Sequence, residues 1–297
     1  MKKYLFFYLL KYNINTSLFQ HGSNIENVNS YLHLTLMKRL LDIKLCDAAR
    51  SGNIKCLTYA YIIKATDVDN WTLNHAARSG SFECLKYAYE VIKATGVDNE
   101  TLCNAAESGS FECLKYAYEV IKATDVNNWT LNHAARSGSL ACLKYAHEVI
   151  KATNDYNNTL HFAAESGSLA CLKYAFNIIK ATDVRNFTLC YAALSGSLDC
   201  LKYAYEVIGA NDNNNDTLCY AAESGNIECL TYAFRVIKAT DNNWTLRNAA
   251  LNGNIACLKY AYEVIGATDD VYNNALISAK KSKNVSCIEY CEKHFSL

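Results

Sequence analysis

The stretch that decides the fold runs Thr72-Leu-Asn-His-Ala-Ala-Arg-Ser-Gly80-Ser-Phe-Glu-Cys-Leu-Lys-Tyr-Ala-Tyr-Glu-Val-Ile-Lys-Ala94. Its apolar residues Phe82, Cys84, Leu85, Tyr87, Ala88, Val91 and Ile92 fall at helical spacing, not in alternation. Glu83, Lys86, Glu90 and Lys93 form the opposite, polar face. Ahead of Gly80 lies a shorter segment, 73–79, which reads as a first helix capped by the Thr72 hydroxyl. Gly80 ends it, because a left-handed residue at a helix C-terminus suits glycine. Ser81 then caps the second helix. Two helices this short cannot bury their apolar faces alone. Stacked on copies of themselves, they share a continuous core.

The copies are there. Ala-Ala-x-Ser-Gly recurs at 48–52, 76–80, 105–109, 134–138, 163–167, 192–196 and 221–225, and again at 249–253 with Asn252 in place of serine. Four residues after each glycine comes a cysteine: Cys56, Cys84, Cys113, Cys142, Cys171, Cys200, Cys229 and Cys257. A ninth, Cys287, follows a copy in which Lys283 replaces the glycine. Successive cysteines lie 28, 29, 29, 29, 29, 29, 28 and 30 residues apart, so nine units tile 43–297. Threonine holds the expected cap slot in seven units, and Lys44 and Ala275 replace it in the first and last. The residue after the glycine slot is Ser or Asn in all nine. Links such as 95–100 are short and polar, with Asp98-Asn99 as turn formers. The paired alanines let neighbouring helices approach closely. The expected fold is all-α: an elongated α-solenoid of stacked helix-turn-helix repeats.

Composition agrees. Apolar residues make up 51%, enough for a sizeable core. Lys+Arg and Asp+Glu both number 29, which argues against a nucleic-acid or acidic-membrane partner, since either demands a basic excess. No apolar run reaches the roughly 18–20 residues of a membrane span. After Met1-Lys2-Lys3 comes a stretch of only seven apolar residues, 4–10, with two tyrosines and no small-residue cleavage site following. That reads as intracellular, not secretory.

The pattern Thr/Trp-x-Leu-x-x-Ala-Ala-x-x-Gly-x-Phe/Leu-Glu-x-x-Lys resembles the ankyrin repeat. The Cys-Leu-Lys-Tyr-Ala form of the second helix resembles the short-period ankyrin-like repeats of large DNA viruses of amoebae. The sequence departs from the family in three ways. It has no proline, so the usual Thr-Pro start becomes Trp-Thr. Its period falls short of the family's ~33. Ile92 and its equivalents replace the glycine that usually ends the second helix. These departures imply a longer second helix and short or absent β-fingers. A tetratricopeptide-type solenoid fits worse in period and signature. Residues 1–42 read as an N-terminal cap or degenerate repeat, with Gly22 thirty residues before Gly52. The last unit reads as a C-terminal cap.

The residues offer little chemistry. Nine cysteines share one slot of the second helix, and Cys46, Cys103, Cys190 and Cys219 share one of the first. Helices packed ~8–10 Å apart hold equivalent cysteines beyond the ~4.4–6.8 Å a disulfide needs. They read as small buried apolar residues. Cys287, Cys291 and His294 could face one side of the last helix, but no fourth zinc ligand is evident. His75 and His133 belong to twelve residues, 70–81 and 128–139, that are identical. Duplication explains them without catalysis. The Asn-x-Thr sequons at Asn70, Asn99, Asn128, Asn157, Asn186, Asn215 and Asn243 read as turn asparagines ahead of the threonine slot. No cofactor or metal is expected.

Individuality is confined to the first helix. Nine residues before the glycine stand Trp71, Glu100, Trp129, Asn158, Phe187, Asp216 and Trp244. Two before it stand Arg50, Arg78, Glu107, Arg136, Glu165, Leu194, Glu223 and Leu251. Between them vary His75, Phe162, Tyr191, Tyr220, Arg247 and their neighbours. Spacings of three and four place these on one helical stripe. In the ankyrin family that stripe lines the concave face. Copied repeats also drift where packing does not restrain them, but exposed aromatics in a row call for cover. The expected site is therefore Trp71, Arg78, Glu100, Glu107, Trp129, Arg136, Phe162, Glu165, Phe187, Tyr191, Tyr220, Glu223, Trp244 and Arg247. The unvarying tyrosines seven after each glycine read as a ridge ladder. The expected function is a monomeric, non-catalytic scaffold for a protein partner in the cytoplasm, or in a host's cytoplasm if the protein is viral. An adaptor for a ubiquitin ligase and a cysteine-based metal or redox protein are the alternatives.

Overall fold

The computed structural model describes residues 44–65, 71–95, 100–124, 128–153, 158–183, 186–212, 215–241, 244–268 and 274–295. The N-terminal cap at 1–42, the Asp98-Asn99 turn, and Asn70, Asn99, Asn157 and Asn243 lie outside the described residues. The chain divides into two compact units, 1–126 and 127–297. The described residues are helical and contain no strand.

Unit 1–126 holds three helix pairs: α1 Leu45–Arg50 with α2 Ile54–Ile62, α3 Thr72–Arg78 with α4 Phe82–Tyr87, and α5 Thr101–Glu107 with α6 Phe111–Glu119. Unit 127–297 holds six. These are α7 Thr130–Arg136 with α8 Leu140–Tyr145, α9 Thr159–Glu165 with α10 Leu169–Asn177, and α11 Thr188–Leu194 with α12 Leu198–Tyr203. They continue as α13 Thr217–Glu223 with α14 Ile227–Tyr232, α15 Thr245–Asn252 with α16 Ile255–Tyr260, and α17 Asn274–Ser282 with α18 Val285–Phe295. Within each unit every first helix packs on the next first helix and on its own second helix. The core repeats accordingly: Leu160, Ala163, Ala164, Cys171, Leu172 and Ala175 are buried in the fifth pair, as are their equivalents in pairs two to eight, while Cys56 in the first pair and Leu276 and Ile288 in the last are half-buried and Lys280 is exposed.

The second helices start as expected. Ser81 accepts from the Cys84 N–H, and Asn53 accepts from Lys55 and Cys56. The first helices do not. Thr72 and its equivalents are the first helical residues, and Trp71, Glu100, Trp129, Asn158, Phe187, Asp216 and Trp244 hold the cap position without a capping hydrogen bond. The threonines are buried between repeats instead. Thr101 Oγ1 donates to Asn74 Oδ1 at 2.6 Å, and Thr159 Oγ1 to Asn132 Oδ1 at 2.7 Å. Where the preceding repeat offers Cys46, His161 or Cys219 in that slot, the hydroxyls of Thr72, Thr188 and Thr245 find no partner. Capping of α11 shifts upstream: the Asp183 carboxylate accepts from the Phe187 and Thr188 N–H groups.

The end of the second helix also differs from expectation. The left-handed residue is the one after Ile92, namely Lys93 at φ 59°, and the same slot holds Lys122, Lys151, Lys180, Gly209, Lys238 and Gly266. Five pairs widen to a π-helical turn there, such as Ala88–Ile92. The closing bond then spans six residues, from the Ala94 N–H to the Ala88 carbonyl. Repeat 1 has one residue fewer, and its Ala65 N–H closes on Ala60 across five. The π turn thus absorbs the extra residue. A left-handed lysine costs about 1–2 kcal/mol in backbone strain, and glycine returns about half of that as lost chain entropy. Lys151→Gly and Lys180→Gly should each stabilise unit 127–297 by about 0.5–1 kcal/mol. A rise in urea midpoint checks this, and a fall rejects it.

The invariant tyrosines tie neighbouring second helices together. Tyr116 donates to Glu90 at 2.8 Å, Tyr174 to Glu148 at 2.6 Å, Tyr232 to Glu206 at 2.6 Å and Tyr290 to Glu263 at 2.8 Å. The ammonium groups of Lys144, Lys173, Lys202 and Lys259 lie over the tyrosine rings of the following repeats.

Candidate partner-binding surface

The first helix turns its positions i, i+4 and i+7 to one face. In unit 1–126 that face carries Trp71, His75 and Arg78. The Trp71 ring lies 5.8 Å from His75. Arg78 pairs with Glu107 of the next repeat at 3.1 Å, and Glu100 stands half-buried at the start of α5.

Unit 127–297 carries a longer run. Trp129 lies 5.9 Å from His133 and 6.3 Å from Phe162. Arg136 pairs with Glu165 at 2.8 Å, and its guanidinium sits 5.5 Å from the Phe162 ring centre. His161 then stacks on Tyr191 at 5.2 Å, and Tyr191 on Tyr220 at 6.1 Å with planes 21° apart. Phe187 meets Tyr191 edge-on at 5.9 Å. Glu223 receives the Asn248 amide at 3.3 Å. Arg247 lies 4.3 Å over Trp244, which is 50% exposed. Eight of the expected site residues, Trp129 through Glu223, thus form one aromatic and ionic stripe over four consecutive repeats. Trp244 and Arg247 form a pair of their own in the next.

The stripe is electrostatically uneven. Burial raises the Tyr191 hydroxyl, and the Glu165 carboxylate adds to this against the opposing pull of Arg136. Burial pushes Tyr220 up to about 12, with Cys190, Tyr191 and Asp216 adding to it. His161, His75 and His133 join the stripe, although none of them is in the expected site. A signal for His161 was present, since it replaces the asparagine that bonds the next threonine.

The cysteines face inward. None of the fourteen forms a disulfide, and Cys84, Cys113, Cys142, Cys171, Cys200, Cys229, Cys257 and Cys287 are fully buried. Burial pushes Cys229 and Cys257 up to about 11 and Cys190 to about 12. Such thiols stay protonated and are poor nucleophiles. Cys287 and Cys291 are buried in α18, while His294 turns to the Tyr290 ring at 4.4 Å. Among the described residues no three His, Cys, Asp or Glu side chains converge as metal ligands. No described helix is long and apolar enough to cross a membrane.

Stacked two-helix repeats with a recurring core and a variable first-helix face define a helical repeat protein. Residues 160–243 match the family model for ankyrin repeats, in three copies, and the flanking helix pairs follow the same plan. Residues 160–243 are thus ankyrin repeats. Comparison with curated proteins finds no match.

Proposed function

We propose that the protein is a non-catalytic scaffold that holds a partner protein on the first-helix stripe, the concave side of an ankyrin stack. Ankyrin repeats are in general protein-interaction modules. The carrying observation is the unbroken run from Trp129 through Phe162, His161 and Tyr191 to Tyr220, with the Arg136–Glu165 pair beside it and Glu223 three residues beyond Tyr220. Trp, Tyr and Arg are the side chains that most often anchor protein interfaces. The core beneath them is made of identical leucines and alanines, so partner choice rests on the stripe. The last helix pair, with Lys280, Lys281 and Lys283, serves as the closing cap.

Trp71→Ala with Trp129→Ala tests the reading. An interface anchor contributes about 2 kcal/mol, or roughly 30-fold in affinity. The double variant should lose the partner captured by the parent from the native source, compared by quantitative mass spectrometry, at unchanged helical circular dichroism. Equal capture by both would remove the stripe as the binding surface.

A further inference from the structure

One arrangement occurs twice along the stripe. The arginine two residues before the glycine of one repeat pairs with the glutamate in the same slot of the next, 29 residues on. Arg78 meets Glu107 at 3.1 Å, and Arg136 meets Glu165 at 2.8 Å. In the second case the guanidinium also lies 5.5 Å from the Phe162 ring centre. An aromatic ring and a carboxylate, three residues apart on one first helix, hold a guanidinium by stacking and charge.

The junction of repeats 6 and 7 has the receiving half only. Tyr220 stands where Phe162 stands, three residues before Glu223. The arginine slot holds Leu194. No ion pair reaches Glu223 among the described residues, and the amide of Asn248 is its contact. The Tyr191–Tyr220 stack fixes the rings beside it. The nearest stripe arginines are committed elsewhere, Arg136 to Glu165 and Arg247 to the face of Trp244. The first helices of repeats 5 to 7, with their cap residues, carry Glu165, Asp216 and Glu223 and no lysine or arginine, in a chain whose formal charge is zero. One stretch of the stripe is thus acidic and aromatic. In repeat 5 two acceptors, Asn158 Oδ1 and Glu165 Oε2, are buried with no donor.

We infer that the Tyr191–Tyr220–Glu223 site takes an arginine side chain from the partner protein, in the place that the chain's own Arg136 fills two junctions earlier. The inference rests on the stripe being the partner surface and names the chemistry it reads. Arginine suits the site better than lysine, because its planar fork both stacks on rings and pairs with a carboxylate.

The test uses the full chain and a fluorescein-labelled Gly/Ser peptide carrying two arginines, followed by anisotropy. Saturable binding is expected below about 1 mM. Glu223→Gln should weaken it about tenfold, the loss of one charge-assisted contact. Leu194→Arg should weaken it as much, because a guanidinium supplied in cis fills the site. Leu194→Ala should bind like the parent, and the lysine peptide should bind more weakly. Thermal melts establish that each variant is folded. No saturable binding, equal binding of a glutamate peptide, or parent-like binding by Leu194→Arg overturns the inference. If the tryptophan variant loses its partner while the peptide series shows no discrimination, the scaffold role stands and the arginine site falls. If the peptide series discriminates while partner capture is unchanged, the reverse holds.

Discussion

Leu172→Ala lowers the stability of unit 127–297 by about 3–5 kcal/mol, the upper part of the range for a buried leucine. Leu172 is fully buried in α10, an interior helix with pairs on both sides of its own. Such a change removes transfer energy and leaves a cavity, and its cost depends on how far the site can collapse. Here collapse is poor. The other small core positions of the same repeat, Ala163, Ala164 and Ala175, are fully buried alanines with no rotamers to swing into the gap. An interior repeat also contributes to two interfaces, so its loss is felt on both sides. Ile178→Ala is the control: Ile178 directly follows the same helix but is 57% exposed. It should stay within about 0.5 kcal/mol of the parent. Urea unfolding followed by circular dichroism separates the two. Similar midpoints for both variants would mean that the leucine ladder does not carry the stack.

The difference between those positions is legible in the sequence, because helical spacing around Cys171 and Leu172 separates inner from outer faces without a neighbour's help. The same holds for the Ser168 cap and the left-handed Gly167, which are local features. Features that depend on the next repeat were not legible. Thr159 reads as a cap when taken alone, and only the adjacent Asn132 makes it a buried cross-repeat donor. The left-handed slot at Lys93 hid behind its lysine, although Gly209 and Gly266 in the same register marked it. The π turn followed from a one-residue difference between repeats 1 and 2 that spacing alone does not place in the helix or the link. On the stripe the varying slots were legible, whereas the pairing of Arg136 with Glu165 and the piling of His161, Tyr191 and Tyr220 needed the register between helices.

The tyrosine ladder makes the fold sensitive to alkali. Burial raises the Tyr174 hydroxyl to about 12, and its hydrogen bond to Glu148 adds to the shift. Burial and the partners Glu90, Glu206 and Glu263 push Tyr116, Tyr232 and Tyr290 up further still. Around Tyr174 the other charged or titratable groups are Lys144, over the ring at 5.8 Å, and His147, whose Nδ1 lies 3.1 Å from the hydroxyl. The Glu148 oxygen is closer, at 2.6 Å, and ionising the phenol would set two negative groups against each other there. An unfolded tyrosine titrates near about pH 10. Above that pH the unfolded chain gives up protons that the folded chain keeps. Stability therefore falls as pH rises. The ladder's contribution is complete below about pH 10 and is lost as pH passes the folded values. The buried thiols of Cys190, Cys229 and Cys257 are raised as well and act with the same sign, starting nearer about pH 8.5. Urea midpoints should decline gently from pH 8 and steeply between pH 10 and 12. Tyr174→Phe with Tyr232→Phe and Tyr290→Phe should flatten the steep part and leave the gentle part to the cysteines. The phenylalanines keep the ring packing, so a triple variant as steep as the parent would show that the hydroxyl–carboxylate bonds do not join one repeat to the next.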